Sequence, residues 1–156
     1  MAGFGSVWVA NLTDGKVARI DPLTNQVTNT VQTQQGATGL AVGAGSVWVT
    51  YCGCGQASGM VSRIDPSTNS VVAAVPVGTQ AGLVAFGGGY VWVGVDVDST
   101  VVQIDPATNL VRRTIPVGAA SIGIAASDHA VWVVHPVASG AALDAPVPGT
   151  VTRINF

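Results

Sequence analysis

RIDPLTN, at residues 19–25, returns almost unchanged as RIDPSTN at 63–69 and as QIDPATN at 103–109. A fourth run, RINF at 153–156, starts in the same way and then departs from the others. Upstream of each run lies a V-W-V triplet, and the spacing between successive triplets is 40, 44 and 40 residues. The triplets are centred on Trp8, Trp48, Trp92 and Trp132.

A complete repeat contains four short runs of the kind that form β-strands. Strand A is a Gly-bounded apolar run, B is the V-W-V strand, C is the V-x-R/Q-I-D/N strand, and D follows the TN pair. Four strands in about 40 residues are typical of a β-propeller blade. We therefore predict an all-β fold, a β-propeller of four-stranded antiparallel blades, with roughly 3.5–4 blades in one partial domain. The blades are 1–36, 37–78, 79–118 and 119–156, and the last lacks its outer strand.

Composition agrees with this class and excludes others. The chain has twenty Gly, one Lys and no Glu, and only 9% of its residues are charged. Net charge of −2, without clustered Lys and Arg, argues against a nucleic-acid surface. The most apolar segment, 71–95, contains six Gly and a Pro, so no membrane-spanning helix is expected, and residues 1–11 do not form a signal peptide.

The D-P-x-T-N phrase predicts the turn between strands C and D. Proline fixes φ for the second turn position, the preceding Asp accepts backbone N–H bonds, and the closing Asn tolerates a left-handed conformation. A cation site built from the three Asp residues is disfavoured because the turns lie on different blades. Each Trp is predicted to pack between blades and not to stack on a ligand.

The repeats resemble those of the YVTN-type β-propeller family. WVAN at 8–11 matches the family tetrapeptide best and WVTY at 48–51 is close, while the pattern around R-I-D-P-x-T-N extends over 15–36, 59–78 and 99–118. Many members are secreted or surface-associated bacterial proteins. The resemblance thus implies an extracellular, cell-surface or periplasmic location, and rings that usually have seven blades.

Strand counting predicts that the blades here form an open arc. Residues 1–5, MAGFG, leave blade 1 without strand A, and blade 4 reaches only strand C. An open arc exposes apolar faces at both ends. We expect either a homo-oligomer, most simply a dimer closing a ring of about eight blades, or the remainder of a longer propeller.

The B–C loops vary in length and chemistry, whereas the A–B and C–D turns are short and repetitive. Such variation on one face of a rigid scaffold indicates a binding surface. We predict that ligands or partners bind there, with no resident cofactor or metal. The predicted ligand-binding residues are Asn11, Asp14, Tyr51, Asp96, Asp98 and His135.

Several loop residues allow a second interpretation. Cys52 and Cys54 are compatible with a metal site, but two ligands are fewer than zinc usually takes, and a disulfide or free thiols are favoured. Asp96 and Asp98 alternate along a strand end and could hold a cation, although a solvated acidic loop is favoured. Asn11 opens an N-L-T glycosylation acceptor.

His135 and Asp144 share the last B–C loop, where a His beside a carboxylate can act as a general base. They are the weak catalytic candidates. Streptogramin lyases, which are similar propellers, place a catalytic His and acidic residues on one face with magnesium, although this chain has no Glu. His129 is assigned to an A–B turn on the opposite face. The sequence favours a non-enzymatic binding module; the alternatives are a lyase- or hydrolase-type enzyme and a self-assembling structural unit.

Overall fold

The computed structural model describes residues 1–53, 58–136 and 149–156, which hold fifteen strands in four antiparallel sheets. The first sheet contains β1 (Ala2–Gly3), β2 (Ser6–Asn11), β3 (Lys16–Asp21) and β4 (Gln26–Gln32), and the second contains β5 (Ala37–Gly43), β6 (Ser46–Tyr51), β7 (Gly59–Asp65) and β8 (Ser70–Gly78). The third contains β9 (Ala81–Gly87), β10 (Tyr90–Val95), β11 (Thr100–Asp105) and β12 (Leu110–Pro116), and the fourth contains β13 (Gly123–Ala126), β14 (Ala130–His135) and β15 (Thr150–Asn155).

Within every sheet the strands pair in chain order, so each sheet is a meander of neighbouring antiparallel strands. The predicted all-β class is confirmed, and the fourth sheet has three strands among the described residues. No helix in the described part of the chain has the length and apolarity needed to cross a membrane. We keep the names blade 1 to blade 4 for the four sheets in order.

Blade 1 corrects the strand count. The sequence analysis gave it no strand A, yet Ala2 and Gly3 form the short strand β1 and pair with Val7 and Ser6. The Trp8 indole Nε1 donates to the Gly3 carbonyl over 3.1 Å, which fixes this segment against strand B. Two residues suffice because the side-chain bond supplements the short backbone ladder.

Three apolar clusters fill the spaces between successive blades, with Trp8, Trp48 and Trp92 at their centres. Each of these indoles is fully buried and packs against the valines of the next blade's strand B. The predicted packing between blades is therefore confirmed for these three. Trp132, at the open side of blade 4, is only half-buried.

The three C–D turns have the predicted local structure. Asn25, Asn69 and Asn109 are left-handed, with φ between 53° and 57°. The Asp carboxylate of each turn accepts a bond of 2.8 Å from the backbone N–H two residues on. The Asn N–H of each turn also bonds back to the Asp carbonyl, which closes a four-residue loop. Left-handed Asn is favourable there because its short polar side chain tolerates positive φ.

Candidate functional site

The described parts of the B–C loops of blades 1, 2 and 3 are joined to the linkers between blades by backbone hydrogen bonds. Gly36 N–H, in the linker from blade 1 to blade 2, donates to the Leu12 carbonyl over 2.9 Å. The Gly36 carbonyl in turn accepts from Cys52 N–H over 3.0 Å. In blade 3, Asp96 N–H donates to the Gln80 carbonyl over 3.0 Å. These bonds hold the described loops of the predicted binding face against the linkers.

A groove of about 400 Å³ opens on this face beside the loop of blade 1. Leu12 and Thr13 form one wall, and Gln35, Gly36 and Cys52 form the other. Gly36 has φ +88°, a conformation that glycine adopts without strain, and a Cβ there would lie only 3.1 Å from Cys52 Sγ. Cys52 is buried and disulfide-bonded, which favours the disulfide alternative of the sequence analysis; Cys54 lies outside the described residues.

Asn11 and Asp14 organise the loop of blade 1. Asn11 Oδ1 accepts from Thr13 N–H over 3.0 Å, and Asp14 Oδ1 accepts from Lys16 N–H over 3.1 Å. The Asp14 carboxylate also lies 3.8 Å from the Lys16 ammonium, an exposed pair. Both residues border a second, wider groove of about 530 Å³ that continues over the open side of blade 1.

The carboxylates of Asp96 and Asp98 accept hydrogen bonds from two different linkers. Asp96 Oδ1 accepts from the Ser121 hydroxyl at 3.0 Å, in the linker that leads to blade 4. Asp98 Oδ2 accepts from Thr79 N–H at 2.9 Å, in the linker that precedes blade 3. Each carboxylate therefore holds a different linker in place. Among the described residues, no group of three or more His, Cys, Asp or Glu side chains is arranged to hold a metal ion.

His135 is the last residue of β14 and is only 3% exposed. Its Nδ1 lies 3.0 Å from the Ala120 carbonyl, which can only accept, so Nδ1 carries the proton. Its Nε2 lies 2.9 Å from the Thr152 hydroxyl. Both ring nitrogens are thus engaged within the fold. Asp144, the proposed companion, lies outside the described residues.

Tyr51 corrects the loop assignment, because it belongs to strand β6 and is buried between blades 1 and 2. Its hydroxyl bonds to the Ser62 hydroxyl on the neighbouring strand. Burial raises the pKa of the phenol, an effect that the Ser62 bond partly offsets. His129, by contrast, lies in the A–B turn of blade 4 as predicted, and it is exposed.

Sequence reasoning missed the apolar residues of this face. Leu12 and Val97, in the loops of blades 1 and 3, are each 58% exposed, and Ile122, in the linker to blade 4, is 62% exposed. The bond from Ser121 to Asp96 brings the segments of Val97 and Ile122 together. In the sequence, these residues could have been recognised as single large apolar residues within polar loops.

It also missed a contact between blades on the opposite face, which we call the arginine clamp. Arg19 Nη1 donates to the Pro66 carbonyl at 2.6 Å and to Asn69 Oδ1 at 2.9 Å, so blade 1 holds the C–D turn of blade 2. Arg63 holds the turn of blade 3 in the same way, at 2.7 and 3.0 Å. Each arginine also lies over its own blade's Trp ring, 5.1 and 5.2 Å from the centroid. The D-P-x-T-N turn therefore has a second role as an acceptor.

Comparison with solved structures agrees with this architecture. Kuenenia stuttgartiensis hydrazine synthase superposes with a TM-score of 0.82 at 15% identity, over 97% of this chain and 43% of that one. The Neurospora crassa Pan2 WD40 domain gives 0.68 at 14% identity, over 96% and 48%. The fold is a β-propeller. A third structure, the dihydro-heme d1 dehydrogenase NirN in complex with DHE, gives 0.67 at 19% identity, over 94% and 34%.

The chain thus spans less than half of the propeller chains that it matches. Those neighbours include enzymes as well as WD40 domains, so the fold is common to proteins of different function. No family model and no curated protein matches the sequence.

Proposed function

We propose that the chain is a non-enzymatic binding module of a propeller, whose B–C loop face takes up an apolar peptide or loop of a partner protein. The observation that carries this proposal is the contrast between the two kinds of side chain on that face. The acid–base candidates His135, Asp96 and Asp98 are engaged within the fold. The apolar residues Leu12, Val97 and Ile122 are free to contact a partner.

Exposed apolar side chains on a rigid polar frame are typical of protein recognition surfaces. Backbone groups of the described loop residues Leu12, Cys52 and Asp96 are bonded to the linkers between blades, which supports a surface that is partly ordered before binding. A preorganised surface loses little conformational entropy on binding. The disulfide at Cys52 supports an extracellular or periplasmic location, where such bonds persist.

The proposal is tested by selecting a phage-displayed random peptide library on the immobilised chain and measuring the affinity of the selected peptides. We expect Leu12→Asp and Val97→Asp to weaken binding about tenfold or more, because each places a carboxylate in an apolar contact. Leu110→Asp is the matched control, since Leu110 is 65% exposed just after a C–D turn, away from this face. Peptides that bind equally well to both loop variants would contradict the proposal.

A further inference from the structure

The open side of blade 4 carries the same residues as the closed sides of the other blades, but nothing in the described chain covers it. Val17, Val61 and Val101 occupy one position of strand C in blades 1 to 3, and each is 0% exposed. Val151 occupies that position in blade 4 and is 60% exposed. Trp132 lies beside it and is half-buried, whereas its three counterparts are fully buried.

Blade 4 also carries an arginine at the clamp position, and no turn in the described part of the chain lies against it. Arg153 pairs with Trp132 across the strands, as Arg19 pairs with Trp8, and lies 5.8 Å above the indole ring. Arg19 is half-buried against the next blade, whereas Arg153 is exposed. Ala130 stands in blade 4 where blade 1 has Ser6, whose hydroxyl accepts from Arg19 Nε. Because alanine cannot accept a hydrogen bond, the Arg153 guanidinium has one acceptor fewer within its own blade.

The open side of blade 1 offers the complementary acceptor. Its turn has the same shape as those that the clamp arginines hold, with Asn25 at φ 57° and Asp21 Oδ1 bonded to Leu23 N–H. Pro22 and Asn25 are exposed, while the corresponding residues of blades 2 and 3 are half-buried under an arginine. The donor at one end of the arc therefore matches the acceptor at the other.

The third contact shows that the arginine and the turn occur together. Gln103 stands at the clamp position of blade 3, and the next blade has Asn155-Phe156 where the turn would begin with Asp-Pro. Arginine thus precedes a D-P-x-T-N turn at both clamped contacts, and glutamine precedes the blade whose strand C leads into Asn155-Phe156 in place of Asp-Pro. By the same rule, we expect Arg153 to contact a D-P-x-T-N turn beyond blade 4, and the turn of blade 1 to contact an arginine of a preceding blade.

We propose that two copies of this chain join head to tail, so that Arg153 of one copy clamps the Pro22–Asn25 turn of the other. The contact repeats the packing already present twice within the chain, with Trp132 and Val151 covered by Val7 and Val9 of the second copy. Val9 is 44% exposed, while its counterparts Val49 and Val93 are fully buried. Two such contacts related by a twofold axis close a ring of two copies, as heterologous contacts do when their rotation closes. This inference goes beyond the binding face proposed above and does not depend on it.

The experiment measures mass by sedimentation velocity for the chain and for two variants that each spoil one end. Val151→Asp spoils the blade 4 face and Val9→Asp spoils the blade 1 face; both side chains are already partly exposed in a single copy, so each variant should fold. Val72→Asp, on the outer strand of blade 2, is the matched control at 55% exposure. We expect dimers for the chain and for Val72→Asp, and monomers for each end variant alone.

Mixing the two end variants separates a head-to-tail contact from every symmetric one. Each mixed pair retains one intact contact, formed by the sound blade 4 face of Val9→Asp and the sound blade 1 face of Val151→Asp, so the mixture should give a one-to-one dimer. The double variant should remain monomeric. Arg153→Gln should weaken association about tenfold by removing charge-assisted bonds. A monomeric parent chain, dimers of an end variant alone, or a mixture that stays monomeric would each overturn the proposal.

Discussion

The first two contacts between blades and the third have the same architecture but different chemistry. Arg19 and Arg63 clamp the turn of the following blade, whereas the described residues of the third contact form no such clamp. In its place Phe156, from blade 4, packs on Trp92 with ring centroids 4.7 Å apart. The arginine and the Asp-Pro turn thus occur together at two contacts, and the third has Gln103 with Asn155-Phe156 in their places.

A pocket of about 280 Å³ lies beside Gln103 and Phe156 at this contact. Arginines from blade 3's own outer strand border it: Arg113 Nε donates to Gln103 Oε1 at 2.8 Å, and Arg112 lies over the Tyr90 ring at 5.1 Å. The guanidinium beside the buried Gln103 thus belongs to Arg113 of the same blade, whereas each clamp arginine contacts a neighbouring blade. At the third contact the Phe156 stack thus adds an aromatic contact between blades to the packing of Trp92 on the valines of blade 4.

The largest expected effect compares a covered indole with an uncovered one. Trp48→Ala should lower the free energy of unfolding by about 3–5 kcal/mol, because it opens a cavity between two packed blades. Trp132→Ala should cost only about 1 kcal/mol, since the ring is half-exposed and little packing is lost. Urea unfolding in the Val9→Asp background, which removes self-association, measures both. Equal losses would show that the two faces are not different in coverage.

The next effect tests the clamp itself. Arg63→Gln should cost about 2 kcal/mol, because the Pro106 carbonyl and Asn109 Oδ1 lose charge-assisted bonds in a partly buried setting. The reciprocal change, Gln103→Arg, should give no stabilisation, since Phe156 stands where the other turns have proline and Arg113 is a like charge nearby. The urea unfolding midpoints of the two variants, compared with that of the parent chain, measure both changes in stability. A stabilising Gln103→Arg would contradict the rule that links arginine to the turn.

A glycine sharpens the comparison at the third contact. Gly88 has φ +58°, yet Phe4 and Ala44 occupy the equivalent turn position at φ 53° and 48°, so the backbone does not by itself require glycine. A Cβ on Gly88 would lie 1.8 Å from Phe156 Cε2. Gly88→Ala should displace the ring and cost about 1–2 kcal/mol.

The partner measurement is a double-mutant cycle. In a Phe156→Ala background the added methyl has no ring to displace, so Gly88→Ala should cost less than about 0.5 kcal/mol. The difference between the two backgrounds is the coupling between the turn and the ring. Without such coupling, the glycine would be explained by the turn conformation and not by the ring.

The smallest effect concerns the turns alone. The Ser67 hydroxyl and backbone N–H bond to Asp65 and hold the pKa of its carboxyl below the usual value, while Leu23 and Ala107 stand at the serine position in the other turns. A lowered folded-state pKa favours the folded chain above the usual pKa of the carboxyl, and this contribution is lost as pH falls through the folded value. Ser67→Ala should raise the pKa of Asp65, as carboxyl NMR titration would show. An unchanged titration would assign the shift to the backbone.

The fold could be predicted from the sequence because its determinants recur. Each Trp, each D-P-x-T-N turn and each strand run stands at the same place in its repeat, so the local chemistry was visible several times. Even the missed strand β1 follows from the repeat, because Gly3 stands five residues before Trp8 as Gly43 does before Trp48. The clamp was hidden because it joins residues 47 and 50 positions apart.

The candidate site was less predictable, for two physical reasons. Strand parity would have placed Tyr51 and His135 correctly: each lies two residues beyond a buried valine, on the same side of strand B. For Asp96 and Asp98 the sequence held no such signal. Their partners, Ser121 and Thr79, are 25 and 19 residues away in linkers whose course depends on the assembled blades.

The clamped contacts have a consequence for how such a gene can change. Because Trp8 and Arg19 meet blade 2 as Trp48 and Arg63 meet blade 3, an unequal crossover that removed residues 37–78 would join blade 1 to blade 3 through side chains of the same kind. The number of blades can therefore change without requiring a new kind of contact between blades. The aromatic junction before blade 4 differs from these contacts, since the missing side chain of Gly88 leaves the space that the Phe156 ring occupies.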